Sequence, residues 1–219
     1  MARGGAAHWH LLGRAALDIP PSGQEIALPF ATLYLRTMTP QSPGPQIELR
    51  TPRLLLRGAR ADATDAADLF EAMRDAQTMR FWSSKPHDTA AETAAWLVDK
   101  MVASPHNGVT DFLIVVQPNT AEGIARPTVV GKAGCWDGQE IGFLLHRAYW
   151  GRGYASEAVG ALLAHMWRST EVRAVTADVD PRNAASLALL RKFGFEVTGE
   201  ERNSMETHIG WCDSVPAGE

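Results

Sequence analysis

The chain has 219 residues, of which 45% are hydrophobic and 21% are charged. This balance supports one well-cored domain and excludes collagen-like, coiled-coil and fully disordered chains. Lys and Arg total 21 against 25 Asp and Glu, so the formal net charge is -4, the wrong sign for a nucleic-acid-binding surface spread over the whole molecule.

The cysteine content and the length of the apolar segments indicate in which cellular compartment the protein lies and whether it binds a metal or a membrane. Cys135 and Cys212 are the two cysteines, too few for a disulfide framework, and no Cys/His cluster has the spacing of a zinc site. No apolar stretch reaches the roughly 18 residues of a membrane span, and no compact apolar region marks a secretory signal. We therefore predict a soluble cytoplasmic protein that binds no metal, membrane or nucleic acid.

Residues 1–46 differ from the rest of the chain, because proline and glycine interrupt them repeatedly and acidic residues are scarce. We predict a poorly ordered N-terminal extension; a targeting segment and a start at Met38 are the alternatives. Regular patterning begins at Ile47. We therefore predict one domain over residues 47–213, followed by a tail over residues 214–219.

The apolar positions of this domain recur with periods of two and of about 3.6 residues, which predict strands and helices. Thr89 and Glu92 form a capping box that starts one helix, and Gly194 ends another. Asp137-Gly138 is a turn typical of a hairpin between two strands. The order of elements indicates an α+β or mixed α/β sheet fold. The predicted elements are extended segments at 47–50 and 54–57, helices at 62–76 and from Thr89 to about Pro105, strands at 112–116, 128–136 and 140–145, a helix at 155–167, a strand at 172–179, a helix at 183–193, and strands at 195–198 and 207–211.

The most informative segment is Ile141–Ala158, where a strand leads through Gly151-Arg152-Gly153 into a helix. A helix N-terminus offers unpaired N–H groups and a positive dipole end to an anion, and glycines let phosphate oxygens approach the backbone. A P-loop is excluded because its final Lys-Ser/Thr pair is absent. A dinucleotide fingerprint is matched only in part, since Ser156 replaces its third glycine. The favoured ligand is a pyrophosphate.

Three segments together resemble the GNAT superfamily of N-acetyltransferases, and most closely its branch of ribosomal-protein alanine acetyltransferases. The resemblance covers residues 54–211. It implies a mixed, mostly antiparallel central sheet flanked by helices, with acetyl-CoA as co-substrate. The matching segments are Thr-Pro-Arg-Leu-Leu-Leu-Arg at 51–57, Glu-Ile-Gly-Phe at 140–143 with Tyr-Trp-Gly-Arg-Gly-Tyr-Ala-Ser-Glu-Ala at 149–158, and Asn-Ala-Ala-Ser-Leu-Ala-Leu-Leu-Arg-Lys-Phe-Gly-Phe at 183–195.

The resemblance also implies which residues hold acetyl-CoA. The family places the pyrophosphate on the loop that corresponds to residues 150–155, where Trp150 departs from the family's Gln or Arg. The preceding strand carries a bulge in the family, so its main chain is implied to meet the pantetheine arm and to donate one N–H to the thioester carbonyl. The implied cofactor-binding residues are Phe143, Leu144, Leu145, Trp150, Gly151, Arg152, Gly153, Tyr154, Ala155, Asn183 and Ser186.

Acetyl transfer to an amine needs a base, because the amine is mostly protonated at neutral pH. We predict that Glu140 is this base and that Ser186 protonates the leaving thiolate, with purely structural roles as the alternative for each. Tyr154 is a second candidate for the proton donor. Phe81 and Trp82 lie where the family lines its acceptor pocket, although aromatic residues at helix ends often belong to the core.

We therefore predict an acetyl-CoA-dependent N-acetyltransferase that acts, as a monomer or homodimer, on the primary amine of a protein N-terminus or a small molecule. Two other functions remain open. A non-catalytic acyl-CoA-binding regulatory module would share the loop without a working base. A nucleotide-binding oxidoreductase would use the partial dinucleotide fingerprint.

Overall fold

The fold is given by a computed structural model. The residues that it describes are 7–14, 27–28, 31–32, 34–35, 47–60, 63–102, 110–136, 139–169 and 174–202. The strands among them are β1 (Ala7–Arg14), β2 (Ala27–Leu28), β3 (Ala31–Thr32), β4 (Tyr34–Leu35), β5 (Glu48–Arg50), β6 (Leu54–Arg57), β7 (Thr110–Val116), β8 (Thr128–Trp136), β9 (Glu140–Leu145), β10 (Ala174–Val179) and β11 (Phe195–Arg202). The helices are α1 (Ala63–Met73), α2 (Ala76–Met79), α3 (Ala90–Leu97), α4 (Tyr154–Ser169) and α5 (Ala184–Lys192).

One large sheet contains nine of these strands, in the order β11-β1-β10-β9-β8-β7-β6-β5-β4. Its neighbouring strands are antiparallel except for β9 and β10, which are parallel. Parallel neighbours need a crossover connection, and α4 provides it. The predicted mixed, mostly antiparallel sheet flanked by helices is confirmed.

Helices cover both faces of this sheet. In β7, Phe112, Ile114 and Val116 pack in the core beneath α4, whereas Leu113 and Val115 pack toward α1 and α3. Because side chains alternate across a strand, a strand that is covered on both faces is apolar throughout. This explains why the sequence shows an uninterrupted apolar run at this position.

The helix ends follow local sequence signals. The Thr89 side chain accepts from the N–H of Glu92 at 3.2 Å, which confirms the cap of α3, but the Glu92 carboxylate accepts from Asp88 N–H rather than from Thr89. Gly194 follows α5 with φ +77° and adopts the left-handed conformation expected after a helix. The helices predicted at 62–76, 155–167 and 183–193 are confirmed as α1, α4 and α5. The four-residue helix α2, capped by Asp75, was not predicted.

The structure differs from the sequence-based prediction at β1 and β4, which we expected to belong to an extension outside the domain but which are strands of the large sheet. β1 lies inside the large sheet, antiparallel to both β10 and β11. Leu11 is fully buried and is opposite Ala177 on one side and Val197 on the other. These partners lie at the far end of the sequence, so no local pattern marks this strand. Other expectations lie outside the described residues: the Asp137-Gly138 turn, the helix end near Pro105, the strand at 207–211 and the tail at 214–219.

Candidate active site

The site begins where β9 and β10 separate. β9 pairs with β8 along its whole length, from Trp136↔Glu140 to Gly131↔Leu145. It pairs with β10 at a single position, Thr176↔Glu140. A gap, the β9–β10 gap, therefore opens beyond Glu140. The bulge that the resemblance implied for this strand is not seen in the β8–β9 register; a register shift lies instead between β7 and β8.

The main chain of β9 faces this gap at alternate residues. The Gln139 carbonyl accepts from the N–H of Thr176 on β10 at 3.0 Å. Backbone groups alternate between the two edges of a strand, so the N–H and C=O of Phe143 also turn toward β10, into the gap. Leu145 turns the same way. Leu144 turns toward β8, and its side chain is buried between the sheet and helices α1 and α3.

The gap leads to the glycine turn, residues Gly151–Gly153, directly before α4. Gly151 and Gly153 have φ of +72° and +81°, a conformation that favours glycine. The N–H of Glu157 donates to the Gly153 carbonyl at 3.0 Å, so the helix starts at this turn. A Cβ built on Gly151 would have no atom within 4 Å, which shows open space in front of the turn. The Arg152 side chain, next in the chain, is 40% exposed, and the first N–H groups of α4 have no partner within the helix.

Trp150 braces the loop before this turn. Its side chain is exposed, and its indole N–H donates to the Leu145 carbonyl at 2.6 Å. Its own N–H donates to the Arg147 carbonyl at 3.0 Å. The indole therefore ties the loop back to the end of β9, a role that needs no charge at this position.

Sequence reasoning missed a cluster that supports the turn from behind. The Glu157 carboxylate, on α4, is buried and accepts from the Thr51 hydroxyl at 2.5 Å and from the Arg53 main-chain N–H at 2.9 Å. The Arg53 guanidinium donates to the same carboxylate from Nε at 2.8 Å and lies 2.7 Å from it at Nη2. The Thr-Pro-Arg segment at 51–53 and the Ser-Glu pair at 156–157 belong to the quoted family segments, which is the signal that could have found it.

Tyr154 packs in the core rather than facing the gap. Its side chain is 1% exposed, and its hydroxyl donates to the Glu122 carboxylate. Burial and the Glu122 carboxylate raise the pKa of Tyr154 to about 12. Arg53 stacks on its ring at 4.6 Å, and Arg152 lies 3.5 Å from Glu122. The side chain thus has a structural role, and its main-chain N–H is the group that belongs to the turn.

The face of β9 that carries Glu140 and Gly142 is named here the acceptor face. Trp82 lies over it: a Cβ on Gly142 would be 3.8 Å from the indole Cη2. Glu140 is half-buried on the same face, two residues away. Phe81 is half-buried, with the Arg80 guanidinium 5.2 Å above its ring.

A buried ion pair adjoins the acceptor face. The Lys132 ammonium lies 2.9 Å from the Asp111 carboxylate, with both side chains about a tenth exposed. The same ammonium lies 5.6 Å from the ring centroid of Trp82 and 5.1 Å from that of Trp96. Two cation–π contacts and one carboxylate therefore fix this lysine and, with it, the position of Trp82.

Asn183 and Ser186 meet at the start of α5. The Asn183 side-chain oxygen accepts from the Ser186 N–H at 3.1 Å, which makes Asn183 the N-cap of the helix. Ser186 is half-buried. The structure thus assigns Asn183 a structural role, and its side-chain nitrogen is not used by the cap.

Two histidines of the described segments, His87 and His165, are buried, and His146 is half-buried. Burial lowers the pKa of His87, His146 and His165, because desolvation disfavours the charged ring. Among the described residues, no group of three His, Cys, Asp or Glu side chains could hold a metal ion. No helix in the described part of the chain has the length and apolar character needed to cross a membrane.

Comparisons with known proteins agree with this architecture. Residues 53–196 match the acetyltransferase (GNAT) domain family. The uncharacterized N-acetyltransferase p20 of Bacillus licheniformis is 40% identical over 60 residues, which are 27% of this chain and 34% of that protein. The chain thus aligns with about a third of the length of this relative.

Solved structures show the same fold. A GNAT-family acetyltransferase from Bacillus anthracis has a TM-score of 0.57 at 22% identity and covers 69% of this chain and 85% of its own. The ribosomal L7/L12 alpha-N-protein acetyltransferase RimL in complex with coenzyme A has a TM-score of 0.54 at 19% identity. The match covers 68% of this chain and 82% of that protein. Spermidine N-acetyltransferase from Vibrio cholerae, in complex with CoA and spermine, has a TM-score of 0.54 at 15% identity. The match covers 67% of this chain and 83% of that protein. With the family match spanning most of the chain, the protein belongs to the GNAT acetyltransferase family.

Proposed function

We propose that the protein transfers the acetyl group of acetyl-CoA to a primary amine. The observation that carries this proposal is the β9–β10 gap, which runs from Glu140 to the glycine turn at the start of α4. A pantetheine arm is long, thin and rich in amides, so an unpaired strand edge can hydrogen-bond it. A helix start with two positive-φ glycines offers N–H groups to a pyrophosphate.

The residues present fit acetyl-CoA. The space in front of Gly151 admits phosphate oxygens, and the N–H groups of residues 152–155 donate to them, as Arg152 adds charge. The Phe143 N–H, in the gap, donates to the thioester oxygen, where negative charge develops during attack. Asn183 and Ser186 border the same arm from the start of α5.

The chemistry asks little more of the chain. Acetyl-CoA supplies an acetyl thioester, which an amine attacks directly, forming the amide C–N bond and breaking the C–S bond. Glu140 takes a proton from the acceptor's ammonium, directly or through one water, so that the neutral amine can attack; Glu140 lies on the acceptor face at the head of the gap. Ser186 gives its hydroxyl proton to the departing thiolate and takes in exchange the second proton that the nitrogen loses as the amide forms, so the products are the amide, the CoA thiol and one proton on Glu140.

The acceptor enters over Trp82 and Phe81. Proteins of the same fold include one named for acetylating a ribosomal protein and one named for acetylating spermidine. Both kinds of acceptor, a protein N-terminus and a small amine, therefore remain in the proposal. The net negative charge of the chain suits a cationic acceptor. A cytoplasmic location and a monomeric or homodimeric state, predicted from the sequence, are parts of the same proposal.

A thiol-release assay with acetyl-CoA, run over a panel of small amines and N-terminal peptides, tests this function. We expect release with at least one acceptor class. Glu140→Gln should lower kcat by about 100-fold or more and leave the Kd of CoA unchanged in calorimetry. Glu71→Gln, at a side chain 59% exposed, is the matched control and should leave both unchanged.

Two other outcomes would assign the protein to a different class. CoA binding without thiol release from the wild-type protein, over the whole panel, would indicate a non-catalytic acyl-CoA-binding module. Thermal stabilisation by NAD but not by acetyl-CoA would indicate the oxidoreductase instead, since a ligand stabilises the fold that binds it.

A further inference from the structure

Glu157 joins the glycine turn to the segment before β6, because its N–H donates to the Gly153 carbonyl and its carboxylate binds that segment. Both of its oxygens accept from this segment: Oε1 from the Thr51 hydroxyl and the Arg53 N–H, and Oε2 from the Arg53 guanidinium. The carboxylate is 7% exposed, so these bonds are shielded from solvent. Glu157 therefore fixes the plane of the Arg53 guanidinium.

The same guanidinium reaches the turn itself. Its Nη1 donates to the Arg152 carbonyl at 2.8 Å, and its Nη2 would lie 3.3 Å from a Cβ on Gly153. The flat face of the group rests on the Tyr154 ring at 4.6 Å. The Arg53 guanidinium thus binds Glu157 along one edge and packs against Tyr154 with one face. Its remaining Nη1 donates to the main-chain carbonyl of Arg152.

This carbonyl determines where an N–H group points. In a trans peptide the C=O of one residue and the N–H of the next point in opposite directions, and the described residues contain no cis peptide bond. Because the Arg152 carbonyl points at the Arg53 guanidinium, the Gly153 N–H points away from Arg53. A pyrophosphate on the side of the turn opposite Arg53 would meet this N–H.

We propose that Arg53 is a positioning residue that, fixed by Glu157, orients the Arg152–Gly153 peptide for pyrophosphate binding. The inference rests on the proposed function, since it concerns the same cofactor-binding turn. Arg53 does not act here as a free positive charge, because the Glu157 carboxylate neutralises it. The planar guanidinium can bind Glu157 and the Arg152 carbonyl at the same time in a fixed geometry, which a lysine ammonium cannot do.

Steady-state kinetics of Arg53→Met and Arg53→Lys test this, with acetyl-CoA and with S-acetylpantetheine, which has the thioester but no pyrophosphate. We expect the KM for acetyl-CoA to rise about tenfold in both variants, the effect of one lost charge-assisted hydrogen bond. The kcat at saturation and the kcat/KM for S-acetylpantetheine should stay within about twofold of wild type, because neither depends on the turn.

Arg126→Met is the matched control. Arg126 pairs with the Asp68 carboxylate of α1 through both Nη atoms, at 2.9 and 2.6 Å. This variant should lose an ion pair of the same kind without a change in the KM for acetyl-CoA.

Three results would overturn the proposal: an unchanged KM for acetyl-CoA in Arg53→Met, a wild-type KM in Arg53→Lys, or an equal loss with S-acetylpantetheine. If Arg53→Met does not fold, the Arg53→Lys result decides alone. Failure of the proposed function is distinct, because wild-type protein would then show neither CoA binding nor thiol release before any variant is made.

Discussion

Gly131 on β8 and Gly142 on β9 lie on neighbouring strands and differ in the space around them. A Cβ on Gly131 would come within 2.0 Å of the Leu144 carbonyl oxygen, a main-chain atom of the paired strand. Neither strand can move without breaking the ladder, so Gly131→Ala should lower the free energy of unfolding by about 3 kcal/mol. Urea denaturation at an unchanged m-value measures this.

Gly142→Ala is the comparison, since its Cβ would meet the Trp82 ring at an ordinary 3.8 Å. We expect its stability to stay within about 0.5 kcal/mol of wild type. Because this Cβ would stand on the acceptor face, the KM for the amine should change while that for acetyl-CoA does not. Equal destabilisation by the two substitutions would contradict the tight approach at Gly131.

At the scale of residues, the sequence reveals groups whose role depends on their neighbours in the chain. The glycine turn is of this kind, since φ above zero and a following helix are both local. The Arg53–Glu157 contact is not: its two residues are 104 positions apart, and no local pattern links them. The burial of Tyr154 against Glu122 is hidden for the same reason.

At the scale of elements, the cap of α5 separates two roles for Asn183. Asn183→Ala removes the side-chain oxygen that accepts from Ser186, so it should cost about 1 kcal/mol of stability. Asn183→Asp keeps this acceptor, replaces the amide nitrogen by a carboxylate oxygen and adds a negative charge. If that nitrogen meets the pantetheine arm, both variants should raise the KM for acetyl-CoA, and only Asn183→Ala should lower Tm. A wild-type KM in Asn183→Asp would leave Asn183 with the cap alone.

The elements that were predicted share strong local signals. α3 begins at a cap, α5 ends at a glycine, and the apolar run of β7 reflects coverage on both faces. α2 was missed because four residues are too few to show a helical period. No local pattern in the sequence marks the separation of β9 from β10, since it depends on how two strands diverge after their single pairing; a gap between central strands was expected only from the family resemblance.

At the scale of the whole molecule, the sheet is completed by a strand from the opposite end of the chain. β1 lies between β10 and β11 and pairs with both. Without β1, each of these two strands would have an unpaired edge on that side. The sequence predicts the alternation of strands and helices over residues 47–202 but not this insertion. Hydrogen bonding and burial of β1 come from partners that only the folded sheet brings near.

Leu11→Asp tests whether β1 belongs to the folded domain. Leu11 is fully buried in the core beneath α4, so a carboxylate there should lower the free energy of unfolding by about 4 kcal/mol. Ile47→Asp, at a residue 40% exposed, is the matched control and should change it by no more than about 0.5 kcal/mol. A chain that starts at Met38 lacks both β1 and β4, so in thermal denaturation it should lose at least as much stability as Leu11→Asp. If Leu11→Asp and the shortened chain both have the Tm of the wild-type protein, residues 1–46 form an extension outside the domain and the sheet is stable without them.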